Sequence, residues 1–275
     1  MAKHDKTIAM LEVAQQALAD YHPMTVRQVY YQLVSKHVIE NNRSQYQSVS
    51  NMLRDARKDG VIPWEWVEDR LRRPRLVAMW DDINDFAESA ESAYRRNVWA
   101  VQGHLLEVWL EKDALSGIFE DILQPYGVTL NVGRGYDGWD SIHNAAERYL
   151  DWASAVTILY FGDLDPSGED MVRSLGERLA YFKTCPEMVK CALTPTDVTT
   201  YNLPPDFTKS TDTRRAAFVA KHGDIAVELD ALPITVLQSR LVQEVTSRLD
   251  LQAWEAVREQ EKNDKARIMA ALNVA

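Results

Sequence analysis

Asp163 and Asp165 are the two side chains of this sequence whose type and spacing best suit chemistry. They follow an apolar run at 157–161, which predicts a strand buried on both faces of a sheet. In extended chain, side chains two positions apart point the same way, so both carboxylates can face one point. Open α/β sheets bind ligands at the carboxyl ends of their strands, and oxygen ligands suit magnesium. The alternative is an Asp-rich turn that caps a helix beginning at Pro166.

A third carboxylate, Glu111, follows another predicted strand at 105–110 and precedes Lys112. Between this strand and the strand before Asp163, the pattern predicts a helix ending near 123, a short strand at 128–132 and a helix at 141–152. Strands that alternate with helices predict a parallel, doubly wound sheet. If the strands before Glu111 and Asp163 are neighbours in that sheet, the carboxylates converge on one site.

The remaining chain has weaker signals. The loop 133–138 is rich in glycine but lacks the Gly-Lys-Ser/Thr ending of a P-loop, so it is either a turn or a mobile lid that contacts phosphate. Further on, the pattern predicts a strand at 190–193, a loop at 194–213 and helices at 234–249 and 252–272. Glu228 and Asp230 could extend the acidic site, but we expect them to be solvated turn residues.

The first 75 residues predict a small helical domain. Helices are expected at 7–19, at 26–36 and from residue 44 to Gly60, and Thr25 with Gln28 forms a capping-box pattern before the second. A Pro- and Trp-rich stretch and a run of arginines follow, which suits a helix-turn-helix with a wing. The basic residues expected to contact DNA are Arg54, Arg57, Lys58, Arg72, Arg73 and Arg75. A connecting helix is predicted at 76–96.

Two adjacent tyrosines in the second helix are predicted to face different environments, because neighbouring helical residues lie about 100° apart. Tyr30 falls on the face of Leu33, which looks like core, whereas Tyr31 falls beside Arg27, four residues earlier. A guanidinium next to a phenol could bind a phosphate and favour the phenolate, as a phosphate-attacking tyrosine requires. The alternative is a tyrosine pair that packs beside a surface arginine.

Charge is unevenly distributed along the 275 residues. The net charge is −10, yet residues 1–75 carry 12 Lys and Arg against 9 Asp and Glu, whereas the remainder carries 19 against 32. Phosphate binding needs only a local basic face, and a domain that binds a divalent cation is expected to be acidic. The asymmetry therefore predicts two domains with different partners.

No run of eighteen apolar residues and no charged-then-apolar leader occurs in the sequence. We therefore expect no membrane association and a cytoplasmic protein that associates with the nucleoid. The two cysteines have no metal-binding spacing and are expected to be reduced thiols.

Two motifs in order resemble a known family. Glu111-Lys112, followed 52 residues later by the Asp163-Leu164-Asp165-Pro166-Ser167-Gly168 sequence, resembles the Toprim domain of topoisomerases and primases. The upstream Arg27-Gln28-Val29-Tyr30-Tyr31 sequence resembles the winged-helix domain of the topoisomerase VI A subunit and of its relative that initiates meiotic recombination. The resemblance covers about residues 25–171.

This resemblance implies a fold and an activity. The fold class is α/β, with a winged-helix domain at 1–75, a connecting helix at 76–104, and a Toprim-like doubly wound parallel sheet domain with a helical extension at 105–275. In the family, the second tyrosine attacks a DNA phosphate and remains linked to the 5′ end. The resemblance therefore assigns the nucleophile to Tyr31, supported by Arg27 and Lys112, and the Mg²⁺ or Mn²⁺ ligands to Glu111, Asp163 and Asp165.

The resemblance also implies partners and leaves alternatives. Family members act on double-stranded DNA as homodimers, each composite site cutting one strand to give a double-strand break. The sequence carries no nucleotide-binding motif, so strand passage would need a separate ATPase or DNA-tethering subunit. One alternative is a Toprim nuclease that uses water, as in the nuclease subunit of a plasmid-defence complex. The other is a winged-helix DNA-binding protein without catalysis.

Overall fold

A computed structural model of the chain describes residues 3–67, 77–133, 138–152, 154–205 and 212–272. The helices of these residues are α1 (Lys3–Tyr21), α2 (Val26–Ser35), α3 (Arg43–Lys58), α4 (Ile83–Ala93), α5 (Ser116–Leu123), α6 (Trp139–Trp152), α7 (Pro166–Tyr181), α8 (Pro195–Thr200), α9 (Arg215–His222), α10 (Ile234–Thr246) and α11 (Leu251–Leu272). The strands are β1 (His104–Leu110), β2 (Thr129–Val132), β3 (Ala155–Phe161) and β4 (Glu187–Ala192).

The four strands form one parallel sheet in the order β2-β1-β3-β4. The chain leaves β1 toward β2 on one side, then crosses back to β3 on the other side of β1. The prediction that the strands before Glu111 and Asp163 are neighbours in a parallel sheet is therefore confirmed. The connections from β1 to β2 and from β2 to β3 run to opposite sides of β1. Open sheets of this kind leave a crevice at the carboxyl ends of the two strands where the strand order reverses, here β1 and β3.

Helices cover both faces of the sheet because side chains alternate along each strand. On one face, Leu106 and Val108 of β1 belong to the same buried cluster as residues of α5 and α10. On the other face, Trp109 of β1 and Tyr160 of β3 pack in a second cluster with residues of α6 and α7. This two-sided burial explains why the strands read as nearly continuous apolar runs.

The three amino-terminal helices are built as the pattern predicts. The capping box of α2 is complete, since the Thr25 side chain accepts a hydrogen bond from the backbone of Gln28 and the Gln28 side chain accepts one from the backbone of Thr25. The Asn42 side chain caps α3 by accepting a hydrogen bond from the backbone N–H of Gln45. Buried residues of α1–α3 and of the sheet belong to one contiguous cluster, so the helical part and the sheet share a core. Residues 68–76, with most of the predicted wing, lie outside the described residues.

Some boundaries differ from the prediction. Helix α4 is shorter than the predicted 76–96, because Asp82 caps its first turn and holds the backbone at Asn84 and Asp85. Helix α8 begins at Pro195 inside a stretch predicted as loop. Its proline occupies the first turn, where a missing N–H costs nothing, and a capping box precedes it. Helix α9 was likewise not predicted.

An isolated antiparallel bridge joins Leu164 to Val227 and brings a distant turn to the carboxyl end of β3. The turn continues as a short 3-10 helix, Leu229–Ala231, before α10 begins. This bridge decides which side chains reach the sheet edge described below. No helix in the part of the chain that the structure describes is long and apolar enough to cross a membrane.

Candidate functional site

Glu111 and Asp163 meet at the carboxyl ends of β1 and β3. The Oε2 atom of Glu111 accepts a hydrogen bond of 2.9 Å from the backbone N–H of Asp163. Gly162 permits this approach, because a Cβ atom at that position would lie 2.5 Å from Glu111 Oε2. The strand order thus brings Glu111 to Asp163, whereas the described residues do not show the predicted convergence of Glu111, Asp163 and Asp165 as a group that could hold a metal ion.

The surroundings of Glu111 and Asp163 disfavour the ionised form of both carboxyl groups. Burial, and then the negative charge of Asp163, raises the pKa of Glu111 to about 7. Burial likewise raises the pKa of Asp163, although Lys112 opposes the rise. Two partly buried acids that disfavour each other's ionised form are a typical environment for a catalytic or cation-binding site.

Asp165 caps a helix, which is the alternative interpretation of its position in the sequence. Its carboxylate caps α7 by accepting hydrogen bonds from the Gly168 backbone at 2.6 Å and from the Ser167 hydroxyl at 2.8 Å. Its charge still contributes to raising the pKa of Glu111. Asp165 is therefore close to the carboxylate pair while its oxygens hold the start of a helix.

Two of the three predicted ligands, Glu111 and Asp163, are arranged in a way that suits a hard divalent cation. Glu111 and Asp163 are oxygen ligands whose mutual repulsion a cation would relieve. In the described residues, however, no group of three His, Cys, Asp or Glu side chains is arranged to hold a metal ion. For Asp165 to serve as the third ligand, its carboxylate would have to share or release the helix cap.

Lys112 is the internal cation of the site. Its Nζ atom lies 3.1 Å from Asp163, 2.9 Å from Glu228 and 3.2 Å from Asp230. Burial opposes its charge, but the surrounding carboxylates, Asp230 first, raise the pKa of Lys112. Lys112 thus stays protonated and ties the sheet edge to the turn after Val227.

The expectation that Glu228 and Asp230 are solvated is wrong. The Asp230 side chain is fully buried, and the Glu228 side chain is 30% exposed. The backbone N–H of Leu229, between them, donates a 2.7 Å hydrogen bond to Asp163 Oδ1. The Leu164–Val227 bridge brings Glu228 and Asp230 to this site. A pairing between residues so far apart in sequence cannot be predicted from a local pattern. The one available signal was their two-residue spacing, which repeats that of Asp163 and Asp165.

Arg27 and Tyr31 reach the same cluster from α2. Arg27 Nη1 lies 2.6 Å from Glu228, and the Tyr31 hydroxyl is near enough to the same carboxylate for the two groups to affect each other's pKa. Burial, and then the charge of Glu228, raises the pKa of Tyr31, and Arg27 offsets only part of the rise. In this state Tyr31 is a buried neutral phenol, which is the opposite of the activation expected from Arg27.

The two adjacent tyrosines do face different surroundings, as the helical spacing predicts. Tyr30 donates a hydrogen bond to the Asn41 side chain at 2.8 Å and packs edge-on against Tyr46. Both tyrosines are buried, however, so their difference lies in hydroxyl partners rather than in exposure.

The predicted DNA-contacting residues are only partly described. Arg54 is exposed and pairs with Asp55, and Lys58 is exposed at the end of α3. Arg57 stacks on Trp64 at 4.2 Å from the ring centre. Arg72, Arg73 and Arg75 lie outside the described residues, as do residues 134–137 of the predicted lid.

No family model matches this sequence, and no curated protein matches it significantly. What the chain does has to be inferred from its own residues and their arrangement.

Proposed function

We propose that this chain cleaves DNA in a metal-dependent reaction, as the resemblance to the topoisomerase VI A subunit implies. One observation supports the proposal above the others. Glu111 and Asp163 follow neighbouring parallel strands, at the place where the strand order reverses across the sheet. Lys112 contacts Asp163 and shares the carboxylate of Glu228 with Arg27. Acids, cations and a phenol at the ligand-binding edge of one sheet suit phosphodiester chemistry.

Glu111 and Asp163 would hold magnesium or manganese, with Asp165 as the third ligand. When bound, the ion would stabilise the charge that develops on the leaving oxygen. Lys112 and Arg27 would donate hydrogen bonds to the non-bridging oxygens of the phosphate, since both remain charged. The chain's own contribution is to position the phosphate between these cations and the carboxylate pair.

In the first version of the reaction, Tyr31 is the nucleophile. Its oxygen bonds to phosphorus, the bond from phosphorus to the 3′ oxygen breaks, and the DNA 5′ end remains on the tyrosine. The phenol proton goes to solvent, and the leaving 3′ oxygen takes up a proton. This version requires DNA to change the surroundings of Tyr31, because its pKa is raised in the free protein.

In the second version, water attacks the phosphate and Tyr31 only positions DNA. The burial of Tyr31 and the nearby charge of Glu228, which both raise its pKa, favour this version, because a neutral, enclosed phenol is a poor nucleophile. Both versions use the same carboxylates, so they differ in their product rather than in their metal requirement.

The partners of the proposal are double-stranded DNA and a second copy of the chain. The amino-terminal helices would act as a winged-helix domain, with the exposed Arg54 and Lys58 against phosphates. Each copy would cut one strand, and a separate ATPase or DNA-tethering subunit would be required for strand passage. A DNA-binding protein without catalysis is the competing function, and it predicts that divalent metal has no effect.

The deciding experiment is incubation of the purified protein with supercoiled DNA and magnesium or manganese, stopped with detergent and analysed with and without protease. Cut DNA that migrates normally only after protease indicates the Tyr31 version. Cut DNA with free ends indicates the water version. A wild-type melting temperature that does not respond to magnesium, together with no cleavage, supports the competing function. An Asp163→Asn variant that cleaves like wild type contradicts the proposed site.

A further inference from the structure

Two cations from distant parts of the chain converge on one carboxylate, that of Glu228, beside the Tyr31 hydroxyl. Arg27 Nη1 and Lys112 Nζ both approach its Oε2 atom, at 2.6 Å and 2.9 Å, and Tyr31 lines the same groove as Glu228. A guanidinium, an ammonium and a phenol around one oxyanion are the groups that also recognise a phosphate. Glu228 is thus surrounded as a bound phosphate would be.

Glu228 is also placed where a ligand could replace it. Its side chain is 30% exposed and lines a groove of about 450 Å³ together with Arg27, Tyr31 and Tyr46. Arg43, at the start of α3, lines the same groove and adds a further positive charge. The carboxylate is therefore accessible from solvent on the side where α2 and α3 meet.

Asp230 differs from Glu228 in both respects. Its side chain is fully buried, and it lies 3.2 Å from Lys112 and 4.0 Å from Arg27. It would hold both cations in place if Glu228 moved away. Because Glu228 and a phosphodiester each carry one negative charge, their exchange would leave the charge of the cluster unchanged.

We propose that Arg27, Lys112 and Tyr31 form a binding site for a DNA phosphodiester, and that Glu228 occupies this site until DNA displaces it. The inference rests on the proposed function in that DNA is the ligand.

The test is the affinity of a labelled DNA duplex, measured by fluorescence anisotropy in EDTA so that no metal-dependent cleavage occurs. Glu228→Gln keeps the shape of the side chain but removes the competing charge, and we expect it to bind about tenfold more tightly than wild type. Glu40→Gln is the matched control. Glu40 is an exposed acid next to the groove residue Asn41, and the same loss of charge there should change the affinity by less than about twofold.

A second variant pair tests the site itself. In the Arg27→Gln background, Glu228→Gln should no longer improve binding, because one of the donors that hold the phosphate is missing. Glu228→Asp retains the charge but withdraws the carboxylate by one methylene, and an intermediate gain is expected. If urea denaturation shows that Glu228→Gln is unfolded, the DNA affinity of Glu228→Asp tests the inference in its place.

Equal affinities of Glu228→Gln and Glu40→Gln, or a gain that persists without Arg27, would overturn the inference. Failure of the cleavage proposal has a different signature. The gain in affinity would remain in EDTA, while no variant would cut DNA with magnesium or manganese.

Discussion

Two glutamates four residues apart, Glu107 within β1 and Glu111 directly after it, have opposite surroundings. Glu107 lies within β1 and is 1% exposed, yet its carboxylate is fully paired. It receives two hydrogen bonds of 3.0 Å from Arg148, one of 2.7 Å from Asn131 and one of 2.8 Å from Tyr149. Among the described residues, Glu111 accepts one hydrogen bond, from a backbone amide, and faces a second carboxylate.

The comparison separates an acid with filled hydrogen-bonding positions from one that is proposed to bind a cation. A buried carboxylate with donors on both oxygens has no capacity left for a ligand, because its hydrogen-bonding positions are filled. Glu111 retains that capacity and is destabilised by its neighbour, so an added cation would lower its free energy. Four residues along the chain are enough to change the surroundings of a glutamate, because β1 ends at Leu110, between Glu107 and Glu111.

The largest expected effect is on cleavage. Glu111→Gln should lower the cleavage rate by about 10³-fold or more, since it removes a charged cation ligand and with it stabilisation of the transition state. The rate of supercoiled DNA relaxation and nicking at saturating magnesium measures this. Glu107→Gln, corrected for the folded fraction, should stay within about tenfold of wild type. Nearly full cleavage activity of Glu111→Gln would contradict the proposed difference in role between Glu107 and Glu111.

The next effect is on stability and concerns Glu107. Glu107→Ala should lower the free energy of unfolding by about 3 kcal/mol, because buried donors on Tyr149 and Asn131 lose their acceptor and Arg148 loses its partner. Urea denaturation gives the value. Glu177→Ala in the exposed Arg173 pair on α7 is the control, with an expected change below about 0.5 kcal/mol. A small loss at Glu107 would mean that water replaces its partners.

A pH-dependent effect sharpens the comparison at Glu111. Since the folded pKa of Glu111 is raised to about 7, the folded protein binds this proton more tightly than the unfolded chain, and stability falls as pH rises from the unfolded pKa toward 7. Glu111→Gln in EDTA should remove this loss. The variant should therefore exceed wild type by about 2 to 3 kcal/mol above pH 7 and approach it near pH 4. Urea denaturation at several pH values would contradict this if the difference were constant.

The smallest effect concerns the glycine that admits Glu111. Gly162→Ala should cost about 1 to 2 kcal/mol, because the added methyl would contact Glu111 Oε2 and the Tyr160 ring, each 2.5 Å away. Gly176→Ala is the matched control, since nothing lies within 4 Å of a Cβ at that helical position. It should be neutral or stabilise α7 by up to about 1 kcal/mol. Equal melting temperatures for both variants would show that Glu111 moves aside freely.

Features that depend on near neighbours in sequence were predictable. The capping box at Thr25, the strands that end before Glu111 and Asp163, and the helix that begins at Pro166 all follow from short patterns. Their physical basis is local, since a cap or a buried strand is specified by a few residues. The pairing of β1 with β3 then brought Glu111 and Asp163 together by topology alone.

Features that depend on distant pairing were not predictable. Nothing near Glu228 in sequence indicates that a bridge to Leu164 will bury Asp230 and place Glu228 beside Arg27. The expectation that Arg27 favours the phenolate of Tyr31 was wrong for the same reason. Helical spacing correctly placed Arg27 beside Tyr31, but burial raises the pKa of Tyr31, and the charge that adds most to this rise belongs to a residue 197 positions away.

The Leu164–Val227 bridge has a consequence for how the protein is made. The cluster joins residues of α2, the ends of β1 and β3, and a turn beyond residue 227, so loops of many residues must close before it exists. A chain emerging from the ribosome could form α1–α3 and even the sheet, with Lys112 beside Asp163, while Arg27 still lacks Glu228 and Asp230. The two cations would have all their carboxylate partners only after the turn at 228–230 has been synthesised.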